Sequence, residues 1–371
     1  MVVTNRRQPR NESTDVALFL TTQLSYRQNR FPIKLEFGKS ASGQRHRVGS
    51  AFARNLYMTV ALPHLAILGA TLMWASSFAA GRLAVATMPA SEILMLRFAI
   101  AAALLWLAVA LVRRSLPNLQ IAREAFWIGF LGSGLATIFV YWGLILTTAV
   151  NAAVITSWMP LVSSILAWRL LKESISRWVL IGSAFALCGV LILVSDDRAS
   201  GSSSIWGDLL CVASLVIACF AQIRLRRIGL KFGNTLAITA WQLTGGAVCM
   251  TLIMVFFESW FDERGWMAVP GIDAWLLIAY LAIFVGAAAF ALNNFALRHL
   301  TAGHVSLYVV LMAPMSVPIS ALVIGEVVTW IDVAAIALVT FGVALPVMAT
   351  RLIAPSTSKA ESNKPAPIHP N

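Results

Sequence analysis

The chain has 371 residues, of which 59% are hydrophobic and only 12% charged, about half the charged share of a soluble domain. That balance excludes a soluble globular enzyme, and the formal net charge of +12 has to be read from where the cations fall. The four cysteines, Cys188, Cys211, Cys219 and Cys249, form no CxxC pair and no Cys/His cluster, so neither a disulfide framework nor a metal site is indicated.

Residues 1–57 are polar and basic, without helical periodicity. They have no apolar core with a cleavage site, so they do not read as a signal peptide. Three readings compete. The tail is a disordered cytoplasmic arm on anionic lipid, each cation contributing ~1 kcal/mol; or it binds a partner; or translation starts at Met58, which opens MTVALPHLAILGATLMW directly into an apolar run. We favour the third.

Beyond it, no Asp, Glu, Lys or Arg occurs in 55–81, 125–168, 232–257, 274–297, 299–325 or 333–350. A helix needs about 20 apolar residues to cross a bilayer, so 125–168 holds two spans and the other windows one each. With the interrupted runs near 90–112, 178–195 and 206–223, the sequence predicts ten transmembrane helices. If the N-terminus is cytoplasmic, 24 of the 28 Lys and Arg residues fall on that side, as the positive-inside rule requires. Both termini are then cytoplasmic. The tail at 355–371 reads as disordered.

Two stretches repeat at a distance of about 153 residues: Thr147–Val194 and Thr301–Val347. Each is an apolar helix with a proline (Pro160, Pro314), a turn with a glutamate (Glu173, Glu326), and a second apolar helix. A glycine follows each glutamate by sixteen residues, at Gly189 and Gly342. Five helices per half is an odd number, so a duplicated unit must enter the membrane from opposite sides. The expected fold is therefore an all-α polytopic membrane protein of ten transmembrane helices, as two inverted five-helix repeats over 62–195 and 206–349. Ten spans leave no room between them for a soluble catalytic domain. The spans hold no Walker motif, HExxH or carboxylate pair, so no enzyme, cofactor or nucleic-acid partner is expected.

WASSF at 74–78, LRF at 96–98, and TTAVNAAVITSWMP at 147–160 before Leu171-Lys172-Glu173 carry a family resemblance. LTAGHVSLYVVLMAP at 300–314 before Ile324-Gly325-Glu326 carries it again. The chain resembles EamA-type transporters of the drug/metabolite transporter superfamily over about 62–349. The resemblance implies a multi-pass protein of a bacterial-type inner membrane that exports or facilitates small organic metabolites, amino-acid-like compounds or drugs, by alternating access. A channel or sensor is the alternative.

Arg97 is the most informative side chain, because a charge inside a span is costly unless it faces a cavity or a partner. It either faces a cavity, favouring substrates with a carboxylate, or snorkels to the outer interface. Trp74, Ser77, Tyr141, Asn151, Trp158, Gln242, Asn293, Asn294, His304 and Tyr308 are candidates for a substrate pathway, each set against a plain role in helix packing. Pro160 and Pro314 are hinges or static kinks. Glu173 and Glu326 are interfacial residues, capping a helix or pairing with a neighbour (Lys172 or Arg177 for Glu173), or one side of a gating ion pair. No Asp or Glu lies mid-span, so facilitated diffusion is preferred to proton coupling, for which His304 is the lone titratable candidate. Small-residue stripes such as Gly182/Ala186 either pack the bundle or form a homodimer.

Overall fold

The computed structural model describes residues 43–85, 88–112, 115–147, 149–196, 204–257, 271–324 and 328–353. Every regular element among them is a helix: α1 (Gly43–Val85), α2 (Ala90–Leu111), α3 (119–146), α4 (149–171), α5 (Arg177–Asp196), α6 (Ile205–Lys231), α7 (Thr235–Phe257), α8 (Ile272–His299), α9 (302–324) and α10 (Trp330–Ile353). Helices dominate because hydrocarbon offers the backbone no hydrogen-bond partner, and a helix satisfies its own.

Eight segments are long and apolar enough to cross a membrane. Two are shorter, Met159–Leu171 and Arg177–Ile192, where ten full spans were expected. The first is short because α4 is interrupted at Trp158; the second is the apolar part of α5. The protein is thus an all-helical polytopic membrane protein with eight candidate spans and two shorter apolar helices.

A second difference concerns the N-terminal segment. Contacts divide the chain into Met1–Leu56 and Tyr57–Asn371. Helix α1 starts at Gly43, so 43–57 are helical where an unstructured tail was expected. Good helix formers such as Ala51, Ala53 and Leu56 favour helix in this segment. The other expected tail, 355–371, lies outside the described residues.

Within the bundle α2 packs on α7 and α8, α7 on α3, α4 on α6 and α9, and α5 on α10. Lipid tails are as apolar as leucine, so helices associate through close backbone approach and hydrogen bonds. The α5–α10 contact shows the first. A Cβ added at Gly182 would lie 2.3 Å from the Gly342 carbonyl oxygen, and one at Gly342 would lie 2.5 Å from that of Gly182. The Gly182/Ala186 stripe is therefore taken up inside the bundle, with Ala186 fully buried, and is not free for a homodimer. The α2–α7 contact adds Trp106, which donates from Nε1 to Thr244 Oγ1 at 3.0 Å and meets Trp241 edge-on, ring centroids 5.2 Å apart.

Gly182→Val should force α5 and α10 apart and destabilise the detergent-solubilised protein by ~1–3 kcal/mol, the usual cost of overpacking. Gly229→Ala, where an added Cβ meets nothing within 4 Å, should be neutral or stabilising. Thermal unfolding followed by tryptophan fluorescence checks the pair; equal effects would contradict the packing.

Candidate functional site

Helices α3, α4, α8 and α9 are irregular, and α4, α8 and α9 line one cavity. α4 breaks at Trp158, whose N–H reaches only to Ile155 O at 3.2 Å, and α9 breaks at Leu311, whose N–H reaches only to Tyr308 O at 3.0 Å. Proline lacks the N–H that would bond the carbonyl four residues back, and its ring presses on that turn. Each break accordingly lies just before its proline, Pro160 or Pro314. α3 and α8 each contain a π turn, Gly129–Leu135 and Leu281–Ala288, which frees backbone groups from the regular ladder.

The cavity, about 120 Å³, is lined by Trp74, Met159, Ala218, Ala221, Gln222, Leu225, Gln242, Asn293, Leu297 and Val309. Met159 directly follows the α4 break and Val309 stands just ahead of the α9 break, so both interruptions form wall. The polar lining is an indole and three carboxamides, held by two buried networks. In one, Ser306 Oγ donates to Gln222 Oε1 at 2.9 Å and Ser163 Oγ lies 3.2 Å from the same oxygen, joining α4, α6 and α9. In the other, Asn294 Nδ2 donates to Gln242 Oε1 at 2.7 Å and to Thr239 Oγ1 at 2.8 Å, while Gln242 Nε2 donates to Ser133 Oγ at 3.2 Å. Asn293 Nδ2 donates to Asn294 Oδ1 at 3.2 Å. Fixing the carboxamides this way leaves Gln222 Nε2, a donor, and Asn293 Oδ1, an acceptor, without a hydrogen bond among the described residues.

Arg97 does not line this cavity. Its Nη2 donates to Val285 O at 3.3 Å, and Trp74 Nε1 donates to the same oxygen at 3.3 Å. Val285 lies in the π turn midway along α8, so the arginine reaches inward. It also packs over Phe98, 5.4 Å from the ring centroid, and its Nε is buried without a hydrogen bond. Gln242, on α7, bonds Ser133 in the other π turn. Each π turn is thus met by a polar side chain of a neighbouring helix.

Arg226 is one of the cations that the charge distribution puts on the cytoplasmic side, and in the structure it is packed into the bundle. Arg226 is buried, 8% exposed. Its Nε donates to Glu173 Oε1, and its Nη1 donates to the carbonyls of Leu297 and Leu300. Glu173 thus pairs with neither Lys172 nor Arg177. Lys172, in the left-handed conformation at φ 58°, ends α4, and Glu173 N–H closes the turn on Ala167 O at 3.3 Å. Glu173 Oε2 is buried without a hydrogen bond. The cluster ties α6 to the ends of α4 and α8 beside Leu225 and Leu297, which belong to the cavity wall.

The remaining candidates scatter. Ser77 Oγ donates to Trp74 O of its own helix at 2.6 Å. Tyr308 OH meets His64 Nδ1 at 3.0 Å and His304 Nδ1 meets Thr301 Oγ1 at 2.6 Å. Trp158 is exposed and Tyr141 partly so, and Tyr141 lies within electrostatic reach of Arg97. The Asn151 side chain and Glu326 lie outside the described residues. No group of three or more His, Cys, Asp and Glu suited to a metal occurs among the described residues. Gln222 and Arg226 were missed by sequence reading, although their spacing of four residues places both on one face of α6.

The helices thus enclose a small, largely apolar cavity that carries four polar side chains. The EamA-like transporter family matches the chain twice, over residues 61–195 and 205–348, and the chain belongs to that family of transporters; it is not an enzyme. Among similar proteins, "Uncharacterized transporter YetK" of Bacillus subtilis (strain 168) is 24% identical over 77% of this chain and 86% of its own length. "Uncharacterized inner membrane transporter YedA" of Escherichia coli (strain K12) is 26% identical over 74% of this chain and 87% of its own. Mouse "Solute carrier family 35 member G1" is 29% identical, over 35% of this chain and 38% of its own. A solved crystal structure superposes with a TM-score of 0.65 at 21% identity, covering 79% of this chain and 99% of that one, a likeness of fold.

Asn294→Leu removes two interhelical hydrogen bonds and strands Gln242 Oε1. At ~0.6 kcal/mol per bond on average within membranes, up to ~1.7, the loss should be ~1–3 kcal/mol. Ser77→Ala, whose hydroxyl bonds only its own helix, should change stability by less than ~0.5 kcal/mol. Equilibrium unfolding in mixed detergent micelles measures both.

Proposed function

We propose that the chain crosses an inner membrane ten times as two inverted five-helix repeats, both termini cytoplasmic, and exports a small organic metabolite through the central cavity by alternating access. The cation distribution supports the sidedness. The matched breaks in α4 and α9, each bordering the cavity, support a hinge role for Pro160 and Pro314: a helix already interrupted can swing its end with little loss of hydrogen bonding. On this reading the Arg226–Glu173 cluster closes the cytoplasmic end, and releasing it opens the cavity inward. The pair is only half satisfied, since Glu173 Oε2 has no partner, which suits a contact that must break in each cycle.

The observation that carries the substrate reading is the pair of uncommitted carboxamide atoms. Gln222 Nε2 offers a donor and Asn293 Oδ1 an acceptor to one space lined with no charged side chain. A small zwitterion, with a carboxylate to accept and an ammonium to donate, matches both. Arg97 then braces the α8 π turn with Trp74 and does not bind the ligand.

Metabolites inside and outside overexpressing cells test this. One amino-acid-like class should accumulate outside with the natural chain, and Gln222→Leu and Asn293→Leu should each lower its efflux at least tenfold while still reaching the membrane. No compound moving, or inorganic ions passing at channel rates, would contradict export and favour the channel reading.

A further inference from the structure

A second concave feature lies beside the central cavity and shares Ala221 with it. It is a groove of about 950 Å³ between α3 and α6, near the top of the ~300–1,000 Å³ range of ligand pockets. Its long walls are apolar and turned outward: Trp127 and Leu131 on α3, Val216 and Phe220 on α6. One end is basic. Arg123 is exposed with no hydrogen bond or ion pair among the described residues, and Arg224 is held over the groove by Glu124, Nη2 to Oε1 2.7 Å. Glu124 engages Arg224 and leaves Arg123 uncompensated, so the mouth carries a net positive charge.

We propose that this groove is a binding site for an anionic phospholipid, its phosphate-bearing headgroup on Arg123 and Arg224 and an acyl chain along Trp127, Leu131, Val216 and Phe220. The chemistry is split along the groove as it is along a lipid: two cations at the mouth, hydrocarbon below. Arginine suits phosphate because its planar fork donates two parallel hydrogen bonds. The tryptophan between the two zones matches the interfacial preference of its indole. With the cytoplasmic side assigned as above, the mouth faces the inner leaflet, where basic pockets between helices attract anionic headgroups. The groove also touches the central cavity's wall: Ala221 borders both. A lipid seated here lies directly against that wall, on the helix that carries Gln222 and Arg226.

Native mass spectrometry of the full chain in detergent tests the site, using phosphatidylglycerol and phosphatidylcholine with identical acyl chains. The natural chain should retain the glycerol lipid at least tenfold more than the choline lipid, a difference of about 1.4 kcal/mol. Arg123→Gln with Arg224→Gln should bring the two to parity. Arg123→Gln alone, at an exposed residue with no ion pair to lose, should fold normally and lose part of the preference, which keeps the test open if the double variant fails to fold. Equal retention of both lipids by the natural chain would overturn the proposal. So would an unchanged preference in both variants, or a dimer mass without lipid, which would make a second copy the occupant.

Discussion

In a bilayer core every backbone N–H and C=O left out of a helix must find its partner inside the protein. The rest of this structure depends on that constraint. It makes the straight helices unremarkable and the four irregular ones informative. α3, α4, α8 and α9 depart from regular geometry, and each departure has protein on at least one side. The carbonyl of Val285 is covered by Trp74 and Arg97, and the π turn of α3 is met by Gln242 at Ser133. The broken ends of α4 and α9 border the cavity. An irregular helix facing lipid would carry the full cost of its unpaired groups.

The same constraint orders the polar side chains by distance from the cavity. Uncharged carboxamides line it, hydroxyls hold the carboxamides in place, and charges stand one layer away. Arg226 and Glu173 pair through one carboxylate oxygen while two carbonyls share the guanidinium. Removing one partner of such a pair leaves an uncompensated buried charge, whereas the intact pair contributes little net stability. An arrangement of that kind suits a switch better than a staple.

Much of the fold was legible in the sequence. The charge-free windows and the duplicated proline–glutamate–glycine pattern are consequences of bilayer thickness and of duplication, so they survive as linear patterns. Trp74, Gln242 and Asn293 stood out because a polar or amphipathic group inside an apolar run needs a reason. Gln222 and Arg226 did not stand out. They sit where the apolar run of α6 gives way to Arg224, Arg226 and Arg227, and a run of cations reads as a helix end at the membrane surface. Only packing separates Arg226, turned into the bundle, from exposed Arg227, one residue away in sequence. The partner of Glu173 was equally hidden, since it comes from 53 residues further along the chain. The dimer reading of Gly182/Ala186 failed for a related reason: a small-residue stripe announces a close neighbour and does not say which.

The central claim is that the cavity is reached in turn from both faces, with the Arg226–Glu173 cluster closing one of them. The most direct measurement is thiol labelling of Leu225→Cys, in a chain whose four native cysteines are replaced, by a membrane-impermeant maleimide from each face of sealed vesicles. The account predicts labelling from both faces, with the cytoplasmic rate rising at least tenfold when Glu173→Gln is added, a shift of about 1.4 kcal/mol between states. Labelling from one face alone, unchanged by Glu173→Gln, would contradict it.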